Sequence, residues 1–60
     1  MIIPKNYWPM WANYLSIDNS GRVMFWCDKP KYDNGRYKVT SGKRSEWGYV
    51  EPQAPELHRK

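Results

Sequence analysis

The sequence has few of the residues with which small proteins form disulfides and structural metal sites. It holds one cysteine and one histidine among 60 residues. No disulfide can therefore form within the chain, and a zinc site, which takes three or four such ligands, is excluded. We expect no metal and no cofactor. Cys27 falls in a predicted strand, where a free cysteine is typically a small buried hydrophobic residue, and a lone thiol suits a reducing cytoplasm.

Long apolar stretches are also missing. Only 40% of the residues are hydrophobic, and no run approaches the roughly 18 apolar residues that a membrane span requires. The N-terminus has neither the basic start nor the unbroken apolar stretch of a secretory signal, because two prolines interrupt its first nine residues. We therefore expect neither a membrane span nor a secretion signal, and no membrane partner.

The residue patterns of an enzyme are absent too. Cys27 is expected in the core and His58 in a mobile tail, so they do not form a predicted nucleophile and base. The carboxylates are scattered and the glycines stand singly, which argues against an acid–base pair and a phosphate-binding loop. A chain this short can hardly enclose a water-excluding pocket. The sequence predicts a non-enzymatic protein.

Aromatic residues, by contrast, are abundant, at 17% of the chain with four Trp and five Tyr. A domain of this size buries only about 60% of the surface that its unfolded chain exposes, and bulky rings offset the small number of core positions. Pro4 and Pro9 exclude a regular helix, so residues 1–11 are predicted to form an extended arm. We expect the arm's rings to lie across a sheet; an arm left free for a partner is the alternative.

The clearest local pattern is a β-hairpin over residues 12–28. Two alternating segments flank Asn19-Ser20-Gly21, which follows Asp18 and suits a type I turn with a left-handed residue at its end. The register predicted from this turn pairs Ile17 with Val23, Leu15 with Phe25, Ser16 with Met24, and Tyr14 with Trp26. The uncharged face that results is the predicted core, made of Leu15, Ile17, Val23, Phe25 and Cys27.

The rest of the chain predicts more strand and little helix. Asp33-Asn34-Gly35 is typical of a second tight turn. In residues 36–40 polar and apolar side chains alternate, which predicts that Tyr37 and Val39 point inward. Residues 46–50 predict a last strand, whose Trp47 and Tyr49 would add to the core. The expected fold is a single all-β domain, a three- to four-stranded antiparallel meander over residues 12–50, with the arm at 1–11 and a tail at 51–60 that frays at its end.

Positive charge is concentrated in one segment. The net charge is +4, but the stretch from Arg22 to Arg44 alone carries +5, from seven basic and two acidic residues. Cations beside exposed rings suit the phosphates and bases of nucleic acid, and they suit an acidic protein surface equally well. The alternative is that these basic residues form only a solvent-exposed face, which prevents the edges of the sheet from pairing with other chains. The predicted binding residues are Tyr14, Trp26, Arg36, Lys38, Lys43 and Arg44.

The stretch from Pro9 to Trp26 carries a recognisable order of features. It contains Trp11-Ala12-Asn13-Tyr14, an aliphatic strand, Asp18-Asn19-Ser20-Gly21 and a second strand ending in aromatics, with Lys29-Pro30 and a further Trp later on. This order resembles small uncharacterised accessory proteins of tailed bacteriophages and prophages. The resemblance implies a protein of the bacterial host cytoplasm without catalytic residues, and, by analogy, one that binds and disables a host factor such as a nucleic-acid-guided defence complex.

Three functions remain open on the sequence. The first is a phage-type accessory protein that binds a host protein or nucleoprotein complex and inhibits it. The second is direct binding of single-stranded nucleic acid, with bases stacked on Trp26 or on a Trp of the arm. The third is a structural subunit of a phage assembly, which predicts self-association, for example as a homodimer, through the uncovered sheet or its edges.

Overall fold

The computed structural model describes residues 3–60, in which the regular secondary structure is β-strand apart from one short 3₁₀ turn. A short 3₁₀ turn at Lys5–Tyr7 comes first. The strands are β1 Tyr14–Ile17, β2 Arg22–Trp26, β3 Lys31–Asp33, β4 Arg36–Lys38, β5 Arg44–Tyr49 and β6 Glu56–Arg59. The all-β prediction is confirmed.

The β1–β2 hairpin has the predicted register. Tyr14 pairs with Trp26, Leu15 with Phe25, Ser16 with Met24, and Ile17 with Val23. The turn ends at Gly21, whose φ is 86° and whose N–H donates to the Asp18 carbonyl at 2.9 Å. A Cβ at this position would overlap the carbonyl oxygen of Val50, because the Val50 N–H donates to the Gly21 carbonyl at 2.8 Å. Glycine is thus required both by the turn and by the close approach of the chain.

The Asp18 side chain organises the same turn. Its Oδ1 accepts hydrogen bonds from the Ser20 N–H at 3.0 Å, the Ser20 hydroxyl at 2.6 Å and the Arg22 N–H at 3.1 Å. Burial by itself raises the pKa of Asp18, but these hydrogen bonds together with the nearby Arg22 charge outweigh it, so the pKa lies below its usual value. The carboxylate is therefore charged and fully engaged in closing the hairpin.

The main sheet has four antiparallel strands, within the predicted three to four, but they do not follow the sequential order of a meander. Its strand order is β5-β2-β1-β6, all antiparallel, while β3 and β4 form a separate two-stranded sheet. The prediction of a frayed tail is wrong, because Glu56–Arg59 forms β6 against β1. The pairing satisfies backbone groups of β1 that would otherwise be buried at a sheet edge, and the Lys60 N–H extends it to the Asn13 carbonyl at 2.9 Å.

One face of the main sheet forms the hydrophobic core with the N-terminal segment. The arm packs over this face through Trp8 and Trp11, whereas Tyr7 and Met10, expected to join them, are exposed. Trp8 is 5% exposed, and its ring centroid lies 5.7 Å from that of Phe25. Trp8 Nε1 also donates to the Ile3 carbonyl at 2.8 Å. The alternative of a free arm is wrong for residues 3–11, whereas residues 1–2 lie outside the described part. The buried core residues are Trp8, Ala12, Leu15, Ile17, Val23 and Phe25; Cys27, predicted among them, is only half-buried.

The β3–β4 hairpin lies against part of the opposite face of the sheet. Trp26 is 3% exposed, and its Nε1 donates to the Ser16 hydroxyl at 2.8 Å. Tyr37 of β4 lines a small cleft together with Ser16 of β1, and Asn19 Nδ2 donates to the Tyr32 hydroxyl at 3.1 Å. Ser16 and Trp26 are thus buried on this face, while Tyr14, Arg22 and Met24 stay half-buried.

Strand β5 contributes less to the core than the sequence suggested. Trp47 is 48% exposed and Tyr49 is 64% exposed, so their predicted core role is wrong. A β-bulge explains this: Gly48 pairs with Val23 and Glu46 pairs with Met24, which leaves Trp47 without a partner on β2. Tyr37 and Val39, also expected in the core, are half-buried and lie outside the core cluster.

Candidate binding surface

The β3–β4 hairpin presents two of the predicted cations. Its turn residues Asn34 and Gly35 have φ of 51° and 79°, the pair of left-handed residues typical of a tight two-residue turn, so the predicted reversal is confirmed. Tyr37 lies directly across from Tyr32, with ring centroids 5.1 Å apart. Arg36 and Lys38 flank Tyr37 on β4, and both are exposed.

A groove between this hairpin and the main sheet brings these cations together with Arg44. Arg44 begins β5 directly across from Trp26, and its side chain therefore shares the sheet face that the hairpin lies against. The groove has a volume of about 630 Å³. We call it the basic groove; its lining residues are Arg22, Asp33, Asn34, Arg36, Tyr37, Lys38, Val39 and Arg44.

Two of the four cations of the basic groove are already paired with carboxylates. Lys38 Nζ lies 2.8 Å from Asp33 Oδ2. Arg22 Nε lies 3.0 Å from Glu46 Oε1, in a geometry that makes an ion pair but no hydrogen bond. Within residues 3–60, Arg36 and Arg44 form no ion pair. Their guanidinium groups remain available for bidentate contact with a partner's carboxylate or phosphate.

Tyr37 adds a neutral hydrogen-bonding group to the basic groove. Burial raises the pKa of Tyr37 above its ordinary value of 10.0, and the neighbouring Tyr32 and the charges of Glu56 and Asp18 raise it further. The phenol therefore keeps its proton near neutral pH. It can donate a hydrogen bond to an anionic ligand beside the arginines.

The other three predicted binding residues lie apart from the basic groove. Trp26 is buried, so it offers no ring for stacking. Tyr14 is half-buried on β1 and does not line the groove. Lys43 Nζ lies 5.2 Å from the Trp11 ring centroid, in a cation–π contact that ties the loop before β5 to the N-terminal segment. The structure thus unites Arg36, Lys38 and Arg44 and separates the rest.

Strand β5 carries two exposed rings that the sequence did not predict as binding residues. Trp47 and Tyr49 follow Arg44 along β5, and Tyr49 pairs directly with Arg22 of the basic groove. We call Trp47 and Tyr49 the β5 aromatics. The signal that could have revealed them is Gly48, since a glycine inside a strand often marks a bulge and a break in the inward and outward alternation.

Metal-binding and nucleophilic groups do not converge in the described part of the chain. Residues 3–60 contain no group of three or more His, Cys, Asp or Glu side chains that could hold a metal ion. His58 is not in a mobile tail but in β6, where its Nε2 lies 2.8 Å from Glu56 Oε1. This hydrogen bond lowers the pKa of Glu56 from its usual value. The histidine is thus engaged with its own strand.

Comparisons with known proteins add no relative. No protein-family model matches the chain, and no match was found among curated proteins or solved structures. Among residues 3–60 there is no helix with the length and apolar character needed to cross a membrane. The resemblance to phage accessory proteins therefore stays a prediction.

Proposed function

We propose that this protein is a non-enzymatic binding module that docks the basic groove and the β5 aromatics onto an acidic surface of another protein. The observation that supports this most directly is the position of Arg36 and Arg44. They come from different sheets, line one groove, and have no carboxylate partner in the described part of the chain. In the setting implied by the phage resemblance, the partner is a host protein of the bacterial cytoplasm.

The neighbouring residue types fit a protein interface. Trp, Tyr and Arg are the residues most enriched among those that dominate binding energy between proteins. Here the exposed Trp47 and Tyr49 lie on the same strand as Arg44, so a partner can bury apolar rings while it pairs with the guanidinium. The cations orient the approach of an acidic surface, and the rings supply buried area.

The charge pattern favours a protein over nucleic acid. Asp33 lines the basic groove, and Glu46 is paired with Arg22 at its margin. Two carboxylates beside the cations interrupt the continuous positive track that a phosphate backbone prefers. Trp26, the ring expected to stack on bases, is also buried. Direct nucleic-acid binding is therefore the weaker candidate.

Inhibition would follow from occupancy of the partner's acidic surface. A host or defence factor that uses an acidic surface for its own interactions can no longer bind its ligand there when Arg36 and Arg44 occupy that surface. This part of the proposal rests on the phage resemblance, and it predicts competition between this chain and a natural ligand of the partner.

Affinity capture from a bacterial lysate at moderate salt tests the proposal. The wild-type chain is expected to retain one stoichiometric host protein, with or without nuclease treatment. The double variant Arg36→Glu with Arg44→Glu is expected to lose it, because two pairing cations become repelling anions. The matched control, Lys5→Glu with Arg59→Glu, changes the net charge equally at exposed sites outside the groove and should retain the partner.

Two outcomes would contradict the proposal. Capture that persists in the Arg36→Glu and Arg44→Glu variant would show that the basic groove is not the site. Capture that disappears after nuclease treatment, together with binding of a labelled oligonucleotide that weakens steeply with salt, would instead assign the groove to nucleic acid.

A further inference from the structure

Strand β5 leaves one edge of the main sheet open. Within residues 3–60 it pairs only with β2. The Cys27 N–H donates to the Lys43 carbonyl at 2.9 Å at one end of this pairing. Because bonded and non-bonded pairs alternate in an antiparallel ladder, the next residues with N–H and C=O groups turned away from β2 are Arg44 and Glu46. These groups face outward, and the side chains of both residues lie on one face of the sheet.

We propose that β5 pairs antiparallel with β5 of a second copy of this chain, with Ser45 on the two-fold axis. In this register Arg44 lies opposite Glu46 of the second copy, and Glu46 lies opposite Arg44 of the second copy. The outward N–H and C=O groups then form four backbone hydrogen bonds between the two chains. Opposite charges face each other at both positions, with each Glu46 shared between Arg22 of its own chain and Arg44 of the other. The segment is therefore complementary to itself, as a two-fold interface requires.

The β-bulge limits the length of this pairing. Trp47, the residue without a partner on β2, follows Glu46 directly, and a bulge bends its strand and increases its twist. The pairing therefore stays short and closes as a dimer. Trp47 lies at each end of it, opposite Lys43 of the second copy, where its ring, now 48% exposed, can be covered.

The dimer would place its two basic grooves on the same side. A two-fold axis at Ser45 runs perpendicular to the sheet, so the faces that carry Arg44 in each copy point in one direction. The combined sheet then has eight strands, with β5 next to β5 at its centre. In this dimer Arg44 and Trp47 contact the second copy, so Arg36, Lys38 and Tyr49 would remain for the proposed acidic partner. The inference itself depends only on the open edge and on the Arg44 and Glu46 charges.

The first test is the mass of the protein in solution over a micromolar to millimolar concentration series, by sedimentation equilibrium. The wild-type chain is expected to shift from monomer to dimer. Arg44→Glu puts like charges opposite each other at two positions and is expected to raise the dissociation constant about tenfold or more. Adding Glu46→Arg to it restores opposite charges and should recover dimerisation in part. Lys31→Glu, with the same charge change on β3, should leave it unchanged.

The second test remains valid if Arg44→Glu prevents folding. Residues that face each other in a non-bonded antiparallel pair have Cα atoms about 4.5 Å apart, which a disulfide can bridge. In a Cys27→Ser background, Ser45→Cys is expected to form a covalent dimer under mild oxidation. Thr40→Cys, exposed in the loop before β5, should not.

Three results would overturn the inference. The first is a folded wild-type chain that remains monomeric over the whole series. The second is a dimer whose dissociation constant is the same in folded Arg44→Glu. The third is a Ser45→Cys variant that crosslinks no faster than Thr40→Cys, which would place any self-association elsewhere. An edge that binds only an extended peptide of another protein would give the first result.

Discussion

The two hairpins of this protein both turn at a left-handed glycine but differ in how far they are buried. Both reversals end at a left-handed glycine, Gly21 with φ of 86° and Gly35 with φ of 79°. In the β1–β2 hairpin, however, most strand residues are buried, whereas no residue of β3 or β4 is fully buried. Local turn chemistry thus sets the register of both, and burial decides which one stabilises the fold.

The contacts of the second hairpin are correspondingly weak. Its Lys38–Asp33 ion pair has side chains 66% and 52% exposed, and such surface pairs contribute little to stability. The ring contact of Tyr32 with Tyr37 and the hydrogen bond from Asn19 hold it to itself and to the first hairpin. We expect β3–β4 to open before the main sheet unfolds, which leaves it free to carry charges for binding.

The largest expected difference in the free energy of unfolding is between the loss of an aromatic ring from the first hairpin and from the second. Phe25→Ala removes a buried ring that packs on Trp8, and it should lower the free energy of unfolding by about 3–5 kcal/mol. Tyr37→Ala removes a half-buried ring and should cost less than half as much. Urea unfolding followed by tryptophan fluorescence measures both. Equal losses would mean that the second hairpin is part of the cooperative core.

The glycines at the two turns provide the next comparison. Gly21→Ala forces a Cβ onto the Val50 carbonyl as well as into a left-handed conformation, and it should destabilise by more than about 2 kcal/mol. Gly35→Ala meets its nearest atom, on Asn19, at 3.6 Å, so only the conformational cost of about 1–2 kcal/mol remains. Thermal unfolding of the two variants is the measurement. A Gly35→Ala variant that is the less stable would contradict the assigned roles.

The aspartates of the two turns differ in a smaller but pH-dependent way. Asp18→Ala loses three accepted hydrogen bonds at a buried carboxylate and should cost about 1–3 kcal/mol. Asp33→Ala removes only an exposed ion pair and should change stability little.

Acid titration gives a second readout for Asp18. Because folding lowers the pKa of Asp18 from 3.8, its contribution is complete above that value and is lost as pH falls through the lower folded-state pKa. Asp18→Asn, which keeps an acceptor but does not titrate, should lose less stability than wild type between neutral pH and strong acid. Identical pH profiles would exclude this role.

The smallest effect is expected at a side-chain hydrogen bond between β1 and β2. Trp26→Phe keeps most of the buried ring but removes the hydrogen bond to the Ser16 hydroxyl, at a cost of about 1 kcal/mol. Ser16→Ala removes the other partner. In a double-mutant cycle the two losses should not add, because both break one bond. Additive losses would mean that the bond contributes little in the folded protein.

The sequence predicted features that depend on neighbouring residues. The β1–β2 register, the turn at Asn34-Gly35 and the four aliphatic and aromatic core positions on β1 and β2 are all confirmed. Each follows from alternation and turn residues, which act over a few positions. Arg36 and Lys38 were likewise placed correctly on one exposed strand.

The wrong predictions involve pairings between distant segments. Alternation along β2 predicted Trp26 as an exposed ring, but it is 3% exposed and donates a hydrogen bond to Ser16 of β1. The pattern of residues 46–50 predicted Trp47 in the core, but the β-bulge beside Gly48 leaves Trp47 without a partner on β2. The polar and proline-rich composition of the tail argued against a strand, but residues of the tail form β6, which pairs with the second edge of β1.

The sequence by itself determined the all-β class, the central hairpin and the basic segment, because side-chain alternation, turn residues and charge depend on residues close together in the sequence. Only the tertiary structure decided which rings stay exposed and which cations share the basic groove. That choice depends on how separate strands cover the two faces of one small sheet. Burial energy acts between segments far apart in sequence, and it therefore assigned Trp26 to the interior and Trp47 and Tyr49 to the surface.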